Sequence, residues 1–300
     1  RFRAFVEETE IIMLDYLIAG LAVGGQYALI AIGYTMVYGI LRLINFAHGD
    51  VFMVAGIMMV YLAASLPVYI AMPLVFVLTI LLGFLIERIA YKPLRSAPRM
   101  SVMISAIGVS YLLQNFVLYI TGGLSKQYPA LPLLSERVKL FGIGDKAVVF
   151  ITPVIAIVLM VALMLLIKHT KIGMAMRAAS RDFETARLMG ININRVISIT
   201  FIIGSALAAI GSMLYFTKFT GVQPTSGALP GLKAFVAAVF GGIGSIPGAV
   251  LGAFVIGIVE NLAVAFNLAV YRDAFTFAIL IIILAVKPTG LFGEKLTEKV

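Results

Sequence analysis

Long stretches without a single charged residue dominate this 300-residue chain. The longest of them runs from Val51 to Ile86, and others run from Tyr16 to Leu41 and from Ala234 to Val259. An α-helix of about 20 mostly apolar residues crosses the hydrocarbon layer of a membrane, where backbone polar groups must be satisfied internally. Because 62% of the residues are hydrophobic and only 12% are charged, the sequence predicts a membrane protein and excludes a soluble enzyme and a nucleic-acid binder.

The uncharged runs predict an all-α fold, a polytopic bundle of about eight transmembrane helices. Pro67 and Pro73 divide the run after Val51 into a second span that ends near Ala64 and a third span that starts near Val68. The other predicted spans are Tyr16–Leu41, Ser101–Ser125, Ala147–Ile167, Val196–Thr217 and a last span over about Ala274–Val286.

A glycine-rich segment interrupts the uncharged run that starts at Ala234. It cannot continue a single helix without strain, so we expect a broken or re-entrant pair of short helices there. Irregular backbone at membrane depth needs protein or a wet cavity around it. The span count therefore stays open between eight and ten. The residues assigned to this broken segment are Gly241, Gly242, Gly244, Pro247 and Gly248.

The basic residues predict the orientation of the chain in the membrane. Of the 23 lysines and arginines, four lie within residues 88–99 and six within residues 168–195. Basic residues collect in cytoplasmic loops, so both segments are expected inside and the start of the first span outside. Single spans at positions seven and eight would leave Lys287 outside, together with Lys295 and Lys299. An additional crossing within residues 229–271 would remove this conflict.

Charge density also divides the chain into three parts. Residues 1–12 are a polar N-terminal tail, residues 13–292 are a single transmembrane domain, and residues 293–300 are a polar C-terminal tail. Met13 is a candidate for the native start, with a native polar tail as the alternative. The first apolar run is much longer than the apolar core of a signal peptide, about 7–15 residues, so no cleavable signal is expected.

Motifs for catalysis or nucleotide binding are missing from the sequence. The Gly-Lys pair of a phosphate-binding loop does not occur, and there is no H-E-x-x-H motif and no cysteine. We therefore expect no enzyme activity, no metal and no cofactor in this chain. Spans one to six are predicted to hold no ionisable residue away from their ends. Glu260, next to Asn261, is a candidate for the lining of a translocation path, and the alternative is a solvated helix end.

Amide and small residues indicate where the helices pack. Gln114 and Asn115 in the fourth span are expected to form hydrogen bonds between helices, with contact to a substrate as the alternative. G-x-x-x-G patterns allow close helix approach, either within the chain or at a subunit interface. These patterns occur at Gly20 and Gly24 and, in tandem, at Gly244, Gly248 and Gly252.

The basic segment from Lys168 to Arg195 mixes charged and apolar residues and contains no proline. It predicts one amphipathic helix around residues 175–189 that ends at Gly190, with a helix lying on anionic lipid as the alternative. Residues 184–190, E-T-A-R-L-M-G, resemble the E-A-A-x-x-x-G signature of ABC-importer permeases, in which this loop docks on the ATPase. Thr185 departs from the signature, and no I-x-L-P follows. The residues assigned to this coupling loop are Ala175, Arg181, Glu184, Ala186 and Gly190.

Two further motifs extend the resemblance. One is N-F-A-H-G-D, predicted near the cytoplasmic ends of spans one and two, and the other is G-G-I-G-S-I-P-G-A at residues 241–249. With the coupling loop they are similar to hallmarks of the branched-chain amino acid ABC transporter permease family, over residues 13–292. The residues of the first motif that are assigned to a site are Asn45, Phe46, His48, Gly49 and Asp50.

This resemblance implies a heteromeric importer in a bacterial inner membrane. Its other parts would be two cytoplasmic ATPases that bind the ATP, a second related permease subunit and a periplasmic binding protein for leucine, isoleucine and valine. Closure of the ATPases would push on the coupling helix, and the outer loops Gly122–Lys146 and Gly221–Gly231 would receive the loaded binding protein. The rival hypotheses are a permease for urea or a sugar, an ion-coupled transporter or channel, and a membrane scaffold.

Overall fold

The computed structural model describes residues 2–95, 97–140 and 142–293. Eight of the described helices are long and apolar enough to cross a membrane, and α9 is a shorter apolar helix. The predicted all-α polytopic bundle is therefore confirmed. The helices are α1 (Phe2–Leu41), α2 (His48–Ser65), α3 (Val68–Ile86), α4 (Arg99–Thr121), α5 (Ala147–His169), α6 (Lys171–Arg181), α7 (Phe183–Leu188), α8 (Ile193–Lys218), α9 (Ala228–Gly241), α10 (Ile246–Ala265) and α11 (Arg272–Val286).

Some helix ends coincide with proline and glycine residues, but Pro73 lies inside α3 and does not divide the run as predicted. Pro67 precedes the first residue of α3, as the division of the long run predicts. A π-helical turn (Glu87–Tyr91) and a 3-10 turn (Lys92–Leu94) then extend α3. Helix α4 stops at Thr121, before the predicted end at Ser125, because Gly122 takes a left-handed conformation with φ 65°.

Two small antiparallel pairings identify one face of the bundle. Strand β1 (Lys126–Gln127) pairs with β4 (Gly221–Val222), so the loops after α4 and α8 lie on the same side. Strands β2 (Arg137–Leu140) and β3 (Ile143–Lys146) form a hairpin just before α5. The opposite ends of α1 and α5, with α6, carry the basic segment that the positive-inside rule places in the cytoplasm. The β pairings therefore mark the outer face.

Helix α1 forms the centre of the bundle and packs closely along α10. A Cβ on Gly24 would lie 2.7 Å from the Cα of Phe254, and a Cβ on Gly20 would lie 2.9 Å from the Cα of Ile258. This first G-x-x-x-G pattern therefore joins two helices of the same chain, where small residues allow backbones to approach. In the other pattern Gly248 and Gly252 contact the backbone of α9, whereas Gly244 lies outside the helices with φ 102°.

The break in the last third of the chain is confirmed. Helix α9 ends at Gly241, whose successor Gly242 has φ 106°, and α10 begins at Ile246. The 14 residues of α9 span about 21 Å, less than the hydrocarbon thickness of about 30 Å. The helix starts inside the bundle beside Gly49 and runs to the cytoplasmic face. With residues 223–227 it supplies the additional crossing, so Lys287 lies at the cytoplasmic end of α11.

Candidate functional site

The N-F-A-H-G-D segment turns back into the bundle after α1. His48 is 2% exposed, and its ring lies so close to Gly33 that no side chain fits there. Gly33 is eight residues before the end of α1, about 12 Å along the helix axis. Gly204, well inside α8, also lies beside the His48 ring. The prediction of a motif near the cytoplasmic ends of two spans is therefore wrong, because the loop dips between the helices before α2 starts.

Asp50 connects α2 with α4 in the interior. Ser110 Oγ donates to one carboxylate oxygen of Asp50 over 2.5 Å, and Gln114 Nε2 donates to the other over 2.9 Å. Asp50 itself is 2% exposed, and its two partners lie in the middle third of α4. The prediction that Gln114 bonds between helices is confirmed. Asp50 lies in the first turn of α2, so it does not contradict the expectation that spans one to six hold no ionisable group away from their ends, but this end of α2 is buried inside the bundle.

The other polar residues of the motif are also held by neighbouring helices. Tyr91, in the π-helical turn, donates to Asn45 Oδ1 over 2.7 Å, and both residues are buried. Phe46 packs at the edge of the hydrophobic core. The His48 and Tyr34 rings meet at an interplanar angle of 73° with centroids 5.1 Å apart, and His48 Nε2 has no hydrogen-bond partner among the described residues. The motif is thus a packed polar element inside the bundle.

Gly49 forms a close crossing of two chain segments. A Cβ on Gly49 would lie 2.6 Å from the carbonyl oxygen of Gly227 and 3.2 Å from the Cα of Gly231. The start of α2 and the start of α9 therefore touch through their main chains, a contact that only glycine permits at this distance. The second outer loop, assigned as Gly221–Gly231, lies at the outer face only in its first part, because Gly227 and Gly231 are inside.

One face of α4 presents polar groups at membrane depth. Tyr111 is 62% exposed and Tyr119 is 87% exposed. Between them Asn115 is exposed, and its amide donates to the Tyr111 carbonyl of its own helix over 2.8 Å. The prediction that Asn115 bonds between helices is therefore wrong within the described residues. Tyr119 lies two residues before the outer end of α4, where tyrosine is common, but an exposed amide at the depth of Asn115 is costly against lipid. The face is therefore suited to a polar path or a second subunit.

Glu260 belongs to a buried charge cluster. Its carboxylate accepts hydrogen bonds from Tyr27 over 3.1 Å and from Thr276 over 2.7 Å. Lys233 Nζ lies 2.8 Å from Glu260 and 2.7 Å from Asp273, so the ammonium links α9, α10 and α11. Glu260 is 1% exposed. The solvated alternative is wrong because the side chain is enclosed by these partners, and its role in a translocation path stays a prediction. Asn261 bonds to the Gly257 carbonyl of its own helix.

Two buried ionisable residues, Lys233 and Glu87, were not identified as site residues from the sequence. Lys233 borders an uncharged run, a position typical of a solvated helix end, yet the need of Glu260 for a buried cation could have identified it. Glu87 borders the run after Val51 in the same way. It is fully buried, accepts a hydrogen bond from Ser198 over 2.7 Å and pairs with Arg95. Uncharged runs therefore locate the helices but do not show whether the charged residues at their ends are buried.

The predicted coupling helix consists of two short helices, α6 and α7. The expectation of one helix over residues 175–189 is wrong because Asp182 interrupts it in an extended conformation and caps α7. The Asp182 carboxylate accepts hydrogen bonds from the backbone of Glu184 over 2.9 Å and of Thr185 over 3.2 Å. Ala175 and Arg181 therefore lie on α6, and Glu184 and Ala186 on α7.

Gly190 ends α7 as the sequence predicts. Its φ is 83°, and the amide of Ile191 bonds back to the carbonyl of Ala186, which is the pattern of a glycine C-cap. Ala186 is buried against the bundle, whereas Glu184 is exposed. Leu188 and Met189 are 87% and 78% exposed. Apolar side chains that stand out beside charged ones at the cytoplasmic face form a surface suited to a protein partner.

The described residues contain no group of three or more His, Asp or Glu side chains that could hold a metal. A cavity of about 1020 Å³ lies at the cytoplasmic face, between α1, α5, α6 and the turn before α10. It includes Gly244 and Pro247 of the broken segment.

Comparison with known proteins identifies the family. A family model described as "Branched-chain amino acid transport system / permease component" matches residues 16–284. The permease protein LivH of a high-affinity branched-chain amino acid transport system from Escherichia coli is 40% identical, over 98% of this chain and 100% of the relative. BraD from Pseudomonas aeruginosa is also 40% identical, over 96% of this chain and 98% of the relative. The ribose import permease RbsC from Haemophilus influenzae is 26% identical, over 89% and 83%.

A solved structure shares the fold at much lower identity. PsaBC from Streptococcus pneumoniae in complex with a Fab has a TM-score of 0.51 and 13% identity, over 96% of this chain and 97% of that one. This likeness concerns the arrangement of the helices alone. The family model and the relatives with 40% identity cover nearly the whole multi-pass membrane chain. The chain therefore belongs to the permease family of branched-chain amino acid transport systems.

Proposed function

We propose that this protein is the transmembrane permease subunit of an ATP-driven importer for leucine, isoleucine and valine in a bacterial inner membrane. The observation that carries the proposal is the exposed pair of helices α6 and α7 at the cytoplasmic face, residues 171–188, which we call the coupling elbow. The sequence of the chain contains no nucleotide-binding loop. The names of the relatives with 40% identity support the substrate class.

Two cytoplasmic ATPases supply the energy in this proposal. Leu188 and Met189 would enter an apolar groove on the ATPase, while Arg181 and Glu184 form charged contacts around them. Asp182 joins the end of α6 directly to the start of α7, so that a push on α7 would be transmitted to α6 and to the ends of α1 and α5. ATP binding and release then shift the permease between two conformations.

A second, related permease subunit would cover the polar face of α4. Tyr111, Asn115 and Tyr119 would then line a path between the two subunits instead of facing lipid. Their aromatic rings offer apolar contact to a branched side chain, and their polar groups offer hydrogen bonds to the ammonium and carboxylate of an amino acid. On the buried side of α4, Asp50 accepts hydrogen bonds from Ser110 and Gln114 and so holds the helix in place.

A periplasmic binding protein would deliver the substrate to the outer face. The β1–β4 pairing ties together the two loops that would receive it, and the hairpin of β2 and β3 exposes Arg137 and Lys139 beside them. Substrate selectivity would lie largely in that binding protein. A sugar permease is the second candidate, because the ribose permease RbsC matches over most of the chain.

The test is purification of the native complex through a tag on this chain, followed by identification of the co-purified subunits and reconstitution in vesicles. We expect two ATPase copies, a permease partner and ATP-dependent uptake of labelled leucine, isoleucine and valine when the binding protein is supplied. Uptake of ribose in preference to leucine would favour the sugar permease. Uptake by vesicles that hold this chain alone would contradict the ATP-driven mechanism and favour an ion-coupled carrier.

A further inference from the structure

The cytoplasmic cavity is formed by two helices that diverge. Helices α1 and α5 run side by side and touch near the outer half, where a Cβ on Gly25 would lie 3.2 Å from Pro153. Toward the cytoplasm they separate, and the end of α1 with Arg42, the residue that follows it, faces residues 161–168 of α5 across the cavity of about 1020 Å³. This space opens to the cytoplasmic face and is large enough to hold a ligand.

The cytoplasmic end of the cavity is basic. Arg42, Lys168 and Arg177 line it, and the residues of the lining include no aspartate or glutamate. Arg42 donates to the Ser180 carbonyl over 3.4 Å, Arg177 donates to the Ile167 carbonyl, and none of the three cations has an ion pair among the described residues. Arg42 also has a positive φ of 54°, a left-handed backbone conformation that residues other than glycine seldom adopt.

The rest of the cavity is mostly apolar, with Thr35, Ser180 and Ser245 as its polar residues, and it adjoins the lipid-facing surface of α5. Met36 and Ile40 of α1 form one wall, and Val161 and Leu165 of α5 form the other. Val161 is 45% exposed and Leu165 is 52% exposed. A ligand for this site therefore needs an anionic group at the cytoplasmic end and an apolar chain that extends toward the middle of the membrane.

We propose that the cavity binds one anionic phospholipid of the cytoplasmic leaflet, with its phosphate on Arg42, Lys168 and Arg177 and an acyl chain between α1 and α5. Basic pockets between helices on this side of a membrane are suited to such headgroups. Because Arg177 and Ser180 belong to α6, the lipid would brace the first helix of the coupling elbow against α1. The site rests on the cytoplasmic orientation of α6 but not on the substrate of the importer.

The absence of tryptophan from the chain gives a direct test. The full-length variant Leu165→Trp is reconstituted in phosphatidylcholine vesicles that contain a small fraction of either brominated phosphatidylglycerol or brominated phosphatidylcholine. Bromine on an acyl chain quenches a neighbouring tryptophan. The matched control is Ile282→Trp, because Ile282 is 62% exposed and, like Leu165, lies four residues before the end of its helix.

We expect brominated phosphatidylglycerol to quench the tryptophan at position 165 more strongly than brominated phosphatidylcholine, and the two lipids to quench position 282 equally. The added substitutions Arg42→Gln and Arg177→Gln should each weaken the preference about five-fold, whereas Arg137→Gln on the outer face should not change it. Met164→Trp, which lines the same cavity, is a second reporter if the first variant is poorly folded.

Three results would overturn the proposal. Equal quenching by the two lipids at positions 165 and 164 would show that the cavity has no preference for an anionic lipid. A preference that survives both arginine substitutions would show that these residues do not hold the phosphate. Relief of the preferential quenching by inorganic phosphate at millimolar concentration would show a site for a free anion. Because the assay uses this chain alone, none of these results depends on the proposed transport of amino acids.

Discussion

Replacement of Lys233 by methionine tests whether the buried charge cluster holds the last three helices together. In Lys233→Met the carboxylate of Glu260 loses its cation but stays buried, with only the hydroxyls of Tyr27 and Thr276 to stabilise it. Loss of one partner of a buried ion pair costs about 3–5 kcal/mol of folding free energy. Asp273 is less affected, because it is 42% exposed and lies 3.7 Å from Arg272.

The reverse substitution is expected to be milder. In Glu260→Gln the ammonium of Lys233 keeps Asp273 at 2.7 Å. The amide oxygen can accept from Thr276 in place of Oε1, and the Tyr27 hydroxyl can rotate to accept from the amide nitrogen in place of Oε2. The cost should be about 1.5–3 kcal/mol, the range for a lost hydrogen bond to a charged group. The double variant should be more stable than Lys233→Met alone, because the stranded carboxylate is gone, with a coupling energy of about 1–3 kcal/mol.

The free energy of unfolding can be measured by titration with sodium dodecyl sulfate, with helix content followed by circular dichroism. Lys139→Met, at an exposed position of β2, is the control for the loss of one lysine and should unfold like the unsubstituted chain. Equal losses for Lys233→Met and Glu260→Gln, or losses that simply add in the double variant, would show that Asp273 does not compensate the ammonium and that the described pairing carries little energy.

Three further predictions concern the interior crossing, the support of α4 and the coupling elbow. Gly227→Val should abolish the monodisperse peak in size-exclusion chromatography because its side chain would overlap the Gly49 carbonyl, whereas Gly108→Val, in open space, should not; a normal peak for both would refute the crossing. Gln114→Leu should lower the free energy of unfolding by about 1.5–3 kcal/mol because Asp50 loses a donor, and Asn115→Leu, whose amide bonds within its own helix, should be nearly neutral; equal losses would contradict this assignment. Glu184→Lys should uncouple ATPase activity from uptake while membrane insertion stays intact, and undiminished transport would exclude Glu184 from the contact with the ATPase.

Much of the helical framework follows from the sequence because lipid imposes one strong rule, that a spanning backbone must satisfy itself. Pro67 separates α2 from α3, and the glycines after Gly241 separate α9 from α10, as the pattern predicts. The conflict over Lys287 even pointed to the additional crossing that α9 provides. These features are local in sequence, or depend only on charge counts in loops, and need no knowledge of which helices touch.

The interior polar contacts could not be predicted in the same way. The polar residues within 45–50 are typical of a surface loop, and only the packing against Gly33 and Gly227 shows that they lie inside the bundle. The partners Lys233, Glu260 and Asp273 are joined by the fold alone. By contrast, the break at Asp182 had a local signal, an aspartate followed by Glu184 and Thr185 in the pattern of a helix N-cap.

The main-chain crossing of Gly49 with Gly227 and Gly231 limits how this protein can move. Backbones already in contact have no side chains between them that could change rotamer and take up a displacement, so we expect the beginnings of α2 and α9 to move together. Asp50 follows directly on this joint and holds Ser110 and Gln114, so α4 has to swing with it. A gate built on α4 would thus open by rotation of a unit drawn from distant parts of the chain.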